Sequence, residues 1–208
     1  MSTTPVTLSM ENIATAFAEL AGRDADLAAI LKNFGTPPFW SREPGFPTLV
    51  HIILEQQVSL ASAKAAFEKL CAVADPLTPE NFLRLNDQTL KSAGFSRQKT
   101  RYCRHLAQSI VAGELDLPSL NEMDTGTVRK TLLKIKGIGN WTADVYLLMA
   151  LRRADIWPVG DLALAKAVRE IKSLNALPDS EALQTIGETW RPWRAAAARL
   201  LWHHYLSR

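Results

Sequence analysis

Asp161 is the residue best placed to do chemistry, because it follows a Pro/Gly loop and opens an apolar helix. It lies in Ile156-Trp157-Pro158-Val159-Gly160-Asp161-Leu162-Ala163-Leu164-Ala165-Lys166. A carboxylate in that place caps the helix, and the helix amides and dipole keep it ionised. The same anion, held still, can stabilise a developing cation and orient or activate a water molecule. From the residues alone, a plain cap and a catalytic group both fit. Earlier in the chain, Leu132-Leu133-Lys134-Ile135-Lys136-Gly137-Ile138-Gly139-Asn140-Trp141-Thr142-Ala143-Asp144-Val145 carries a second candidate. Gly137 and Gly139 allow a tight turn, and Asn140 is a good cap for a helix that follows. Amides of such a turn and of the helix start, with Lys134 and Lys136 beside them, can hold a phosphate without reading sequence. An ordinary joint between helices also explains two glycines. The glycines, the lysines, helices on both sides and an adjacent tryptophan together favour a nucleic-acid strand.

The elements needed to position these groups are helices. Strand alternation and hairpin dipeptides are nearly absent, whereas caps recur. Asp24 precedes one helix, closed by Gly35. Thr78-Pro79-Glu80 opens another, and Ser96 opens a basic one closed by Gly113. Ser180 and Pro192 are expected to open the last two. The pattern predicts an all-α protein of two lobes and about ten helices. Residues 36–47 hold four of the eleven prolines and form a loop or linker. The expected division is 1–47, packing with the C-terminal part, then 48–155 with the hairpin at 125–151, then 156–208.

Composition narrows the class. The chain has 208 residues, 47% apolar, which suffices for a core. A net charge of +3 permits nucleic-acid binding without requiring it, since a local basic face is what matters. Cys71 and Cys103 form no CxxC pair and cannot alone hold a zinc or an iron–sulfur cluster. Two free thiols fit a reducing cytoplasm. The opening MSTTPVTLSMEN has no basic-then-apolar signal pattern, and no apolar run reaches membrane-spanning length. A soluble, cytoplasmic bacterial protein is expected. His203 and His204 point about 100° apart on a helix and are expected to face solvent rather than share a metal. Arg97, Lys99, Arg101 and Arg104 suggest a solvated basic face, and Glu55 has no assigned role.

The hairpin resembles that of the helix-hairpin-helix, Gly/Pro-Asp superfamily of DNA glycosylases. Its form, GIGxWTA, is similar to the 3-methyladenine DNA glycosylase II, or AlkA-like, branch. The resemblance covers residues 48–206 and is strongest at 132–166 and 190–202. It implies an all-helical glycosylase, here without the branch's N-terminal α/β domain, that excises damaged bases in base excision repair. It implies that Asp161 is the catalytic aspartate, acting on a sugar with oxocarbenium character. Where strand-cleaving relatives carry a lysine nucleophile, this chain has Trp141, so hydrolysis without strand cleavage follows.

The resemblance also assigns a binding surface for double-stranded DNA with damaged bases. Gly137, Ile138, Gly139, Asn140 and Thr142, with Lys134 and Lys136, would grip the strand. Carbonyls of Leu133, Ile135 and Ile138 would hold Na+ or K+; no other cofactor and no iron–sulfur cluster is expected. Trp141 and Trp202 would wall a pocket for the flipped base, with Tyr146 near it because Val145 stands where the branch has tyrosine. Trp40, Trp157, Trp190 and Trp193 are assigned to the core. Gln57 would fill the gap in the duplex, while Gln56 and Gln57 also read simply as a helix end ahead of the cap Ser59. Electron-rich rings favour cationic bases, and these leave with little acid assistance. Alkylated purines, 3-methyladenine and also 7-methylguanine, are therefore the expected substrates of a monomeric enzyme. Deaminated or oxidised bases, or DNA binding without chemistry, are the other readings.

Overall fold

The computed structural model describes residues 5–208. Among them are twelve α-helices and one 3-10 turn. They are α1 (Ile13–Arg23), α2 (Ala25–Phe34), α3 (Phe46–Glu55), α4 (Leu60–Val73), α5 (Pro79–Arg84), α6 (Asp87–Ser92) and α7 (Arg97–Val111). After the 3-10 turn Pro118–Asn121 come α8 (Thr125–Leu133), α9 (Asn140–Met149), α10 (Leu162–Ile171), α11 (Ser180–Glu188) and α12 (Arg194–Leu206). The expected ten become twelve; α5 starts at its expected cap Thr78, and the short α6 follows it with a cap of its own, Asn86. No helix among the described residues is long and apolar enough to cross a membrane.

The chain forms two compact units, Arg42–Tyr146 and residues 5–41 with Leu147–Arg208. The breaks fall earlier than 47/48 and 155/156. Pro47 lies inside the first turn of α3, where its missing N–H costs nothing. α9 continues as one helix across residues 146 and 147, so no sequence break marks that junction.

In the unit 42–146, α3 is buried almost all round, from Phe46 through Glu55, and packs on α4 and α7. An all-round apolar helix must be central, and α3 is. α5 covers α7, and in the core Phe82 meets Phe46 edge to face and Phe95 at a tilt. Cys71 and Cys103 are free thiols, Cys103 fully buried.

In the other unit, α12 is the centre, packed against α10, α2 and α1. Its alanines 195–198 are fully buried, which lets neighbouring backbones approach closely. Arg199 is also fully buried. It donates to the carbonyls of Trp40 at 2.5 Å and Leu148 at 3.1 Å and lies over the Phe39 ring. Burial pushes its pKa down to about 10, still charged at neutral pH. A two-stranded bridge pairs Thr7 with Arg153, with Leu8 N donating to Arg152 O and Ala154 N to Val6 O.

Local caps differ in two places. Asp179, not Ser180, caps α11 by accepting from Ala182 N at 2.8 Å. Trp193, not Pro192, stands at the start of α12. Trp157 and Trp190 are core residues that meet edge to face, at 5.2 Å. Trp40 and Trp193 are only half-buried, the latter donating to Glu19 at 2.6 Å. His203 and His204 are half-buried rather than solvent-facing; His203 Nε2 lies 3.0 Å from Phe34 O. No His/Cys/Asp/Glu cluster among the described residues could hold a metal.

Candidate functional site

The carboxylate of Asp161 is built by the end of its own loop. Asp161 N donates to Pro158 O at 2.9 Å, which closes a turn and turns the chain into α10. With Asp161 in extended backbone geometry, its Oδ1 accepts from Leu164 N at 2.9 Å. Trp202, on α12, donates its indole Nε1–H to the same Oδ1 at 3.2 Å. Asp161 is 9% exposed and Trp202 8%. Two N–H donors in a dry setting fix the carboxylate's position. Trp202 was assigned a wall of the base pocket; the structure gives it a bond to the carboxylate, made by the indole edge.

The hairpin joins α8 to α9. Lys134 N and Ile135 N close back on Thr131 O and Leu132 O, and Ile138 N donates to Ile135 O at 3.0 Å. Gly137 has φ +96°, a left-handed conformation, and a Cβ there would overlap the Tyr102 ring of α7. Both facts demand glycine. An ion pair between Arg129 and Asp144 ties α8 to α9. Gln56, at the end of α3, donates Nε2–H to Gly137 O and to Thr142 Oγ1, each at 2.9 Å.

Lys134, Lys136, Gly139 and Asn140 are exposed, and Gly137 is half-buried. Ile138 is 4% exposed and Thr142 2%. Thr142 therefore offers DNA no side chain, because its hydroxyl faces Gln56. Asn140 is the first residue of α9 rather than its cap; Gly139 O accepts from Ala143 N at 3.0 Å and takes the capping place. The start of α9 and the two lysines are thus on the surface of the unit 42–146.

Trp141, second residue of α9, is half-buried. Tyr146 does not belong with it. Tyr146 is fully buried, its hydroxyl accepts from Gly45 N at 3.0 Å, and burial pushes its pKa up to about 12. A ring packed on both faces cannot receive a base, so Tyr146 is a core residue. Gln57 is exposed and adopts φ +57° between α3 and α4, with Ser59 capping α4 as expected. Glu55 is explained by a two-pronged bond to Arg42, at 2.6 and 3.1 Å. Of the basic face, Lys99 and Arg104 are tethered to Leu54 O and Leu85 O, while Arg97 and Arg101 are exposed. Sequence reasoning missed the anchoring by Gln56 and the seat provided by Tyr102. Neither lies near the hairpin in sequence, so spacing carries no trace of them.

An all-helical protein with a glycine-turn hairpin in one unit and a capped, indole-bound carboxylate in the other belongs to a restricted class. The chain belongs to the HhH-GPD superfamily of base excision DNA repair proteins, whose family model matches residues 50–192. It is 26% identical over 184 residues to the putative DNA-3-methyladenine glycosylase YfjP of Bacillus subtilis, covering 85% of this chain and 64% of that protein. The chain thus spans just under two thirds of that relative's length. Among solved structures, a DNA-3-methyladenine glycosidase from Bacillus halodurans matches with TM-score 0.72 and 29% identity, over 96% of this chain and 91% of the other. The 3-methyladenine DNA glycosylase Mag1 of Schizosaccharomyces pombe, solved with abasic DNA, shares the fold with TM-score 0.84 and 24% identity, over 90% and 95% of the two chains.

Proposed function

We propose that this protein is a monofunctional DNA glycosylase that hydrolyses the N-glycosidic bond of alkylated purines, 3-methyladenine and also 7-methylguanine, flipped from duplex DNA. The observation that carries this reading is the Asp161 carboxylate, nearly dry and held by Leu164 N and the Trp202 indole. As the base departs, the sugar gains positive charge, and a preorganised anion lowers the energy of that state. A cationic alkylated base is already a good leaving group, so no strong general acid is needed. The carboxylate also orients the water that attacks the sugar carbon. The family membership and the names of the relatives point the same way.

Amides at Gly139 and Asn140, with Lys134 and Lys136, would take the DNA phosphate. The carbonyls of Leu133, Ile135 and Ile138 would hold a Na+ or K+ ion that neutralises that phosphate. Leu133 ends α8, where helical amides no longer follow, and all three donors are neutral oxygens suited to a hard monovalent ion. Trp141 would stack on the base, and it has no amine with which to open the sugar. We place this monomeric enzyme in the bacterial cytoplasm.

The test is release of free base from methylated duplex DNA, scored with and without alkali. Methylpurine release with breaks only after alkali is expected. Asp161→Asn should lower excision by at least about a thousandfold while duplex binding persists. Release of only hypoxanthine or an oxidised base would overturn the substrate reading, and an active Asp161→Asn would overturn the mechanism.

A further inference from the structure

Gln56 and Gln57 are adjacent, yet the structure gives them opposite lives. Gln57 is exposed at the tip between α3 and α4, in the left-handed conformation at φ +57°. A non-glycine residue there is disfavoured and must be held by its surroundings. Gln56, half-buried, turns inward and places both Nε2 protons on the hairpin, one on Gly137 O and one on Thr142 Oγ1. An amide nitrogen has two donors, and here both are used. From the other side, Lys99 Nζ donates to Leu54 O at 2.6 Å, fixing the last turn of α3. Gly137 is itself packed close against the Tyr102 ring, which leaves no room for a Cβ.

We propose that Gln56 is a positioning residue that locks the tip at Gln57 to the hairpin, so that a phosphate held by the hairpin sets where the tip enters the duplex. The proposal rests on the glycosylase reading above, in which Gln57 fills the space left by the flipped base. Gripping and gap filling are then one rigid motion. Without Gln56 the hairpin still binds a strand, but the tip relaxes from its strained conformation and no longer meets the gap.

The experiment compares two duplexes, one undamaged and one with a tetrahydrofuran abasic site, by fluorescence anisotropy with the full chain. Wild type should prefer the abasic duplex. Gln56→Ala should reduce that preference about tenfold, the loss of two hydrogen bonds' worth of positioning, with affinity for the undamaged duplex held within about twofold. Gln57→Ala should lose a similar factor, and the double variant should be no worse than Gln57→Ala alone, because the two residues act in series. Thr142→Val should lose part of the preference and Thr142→Ser should restore it, a pair that decides the matter even where Gln56→Ala folds poorly. Four results would each overturn the proposal: no preference in wild type, an unchanged preference in folded Gln56→Ala, equal weakening on both duplexes, or multiplying losses in the double variant. A wild type that prefers the abasic duplex but releases no methylpurine would instead sink the substrate reading and leave this one standing.

Discussion

At the scale of single residues, the bond between Trp202 and Asp161 separates two roles that an aromatic ring can play. Trp202→Phe keeps a ring and removes the indole N–H that reaches Asp161 at 3.2 Å. On the proposed mechanism, single-turnover excision should fall by about ten- to a hundredfold with little change in melting temperature, the scale for a mispositioned reacting group. Unchanged excision would return Trp202 to a purely stacking role. The capping role of Asp161 was legible in sequence, because a Pro/Gly loop before an apolar helix is local. The Trp202 contact was not, since it joins residues far apart in the chain. Tyr146 misled for a related reason: proximity to Trp141 in sequence says nothing of which side of the helix is filled, and Gly45 fills that one.

Among elements, the hairpin and α2 show how local signals and distant partners share the load. Gly137→Ala adds a methyl where φ is +96° and the Tyr102 ring already lies. It should destabilise the protein by about 2–4 kcal/mol in urea unfolding and weaken binding to any duplex. The start of α2 depends on Asp24, which caps Asp26 N and Leu27 N, bonds Lys172 at 2.8 Å and accepts from Trp190 at 2.8 Å. Burial pushes the Asp24 pKa up, but the bonds from Lys172 and Trp190 outweigh it and leave the value below the ordinary 3.8. A lowered carboxylate pKa means stability that is present above the ordinary value and is lost as pH falls from there through the folded value. Asp24→Asn should therefore cost stability at pH 7 and flatten the loss on acidification below about pH 4, read by urea melts at both ends. An Asn variant that loses stability on acidification as steeply as wild type would refute this. The caps Asp24, Thr78 and Ser96 were legible because each sits beside the amides it serves. Ser180 and Asn140 were misplaced by one residue: the Asp179 carboxylate caps α11, and the Gly139 carbonyl makes the first bond of α9.

For the whole molecule, a net charge of +3 cannot by itself hold DNA, so the proposed binding rests on a few local contacts. Lys134→Ala and Lys136→Ala should each reduce the slope of log affinity against log salt by about one, equally on damaged and undamaged duplex. An effect confined to damaged DNA would assign these lysines to recognition instead of grip. The all-α architecture was legible throughout, since helix periodicity and caps are short-range. The junction inside α9 was not, because a continuous helix carries no mark of where one unit yields to the next. That architecture has a consequence for biosynthesis. Residues 5–41 leave the ribosome before the hairpin-bearing segment, yet α12, on which α1 and α2 pack, lies in Leu147–Arg208 and follows it. The hairpin-bearing segment can mature while α1 and α2 wait, part of their apolar face uncovered, for α12 to be made. Premature termination near residue 146 would strand those side chains in water and hand the product to proteases.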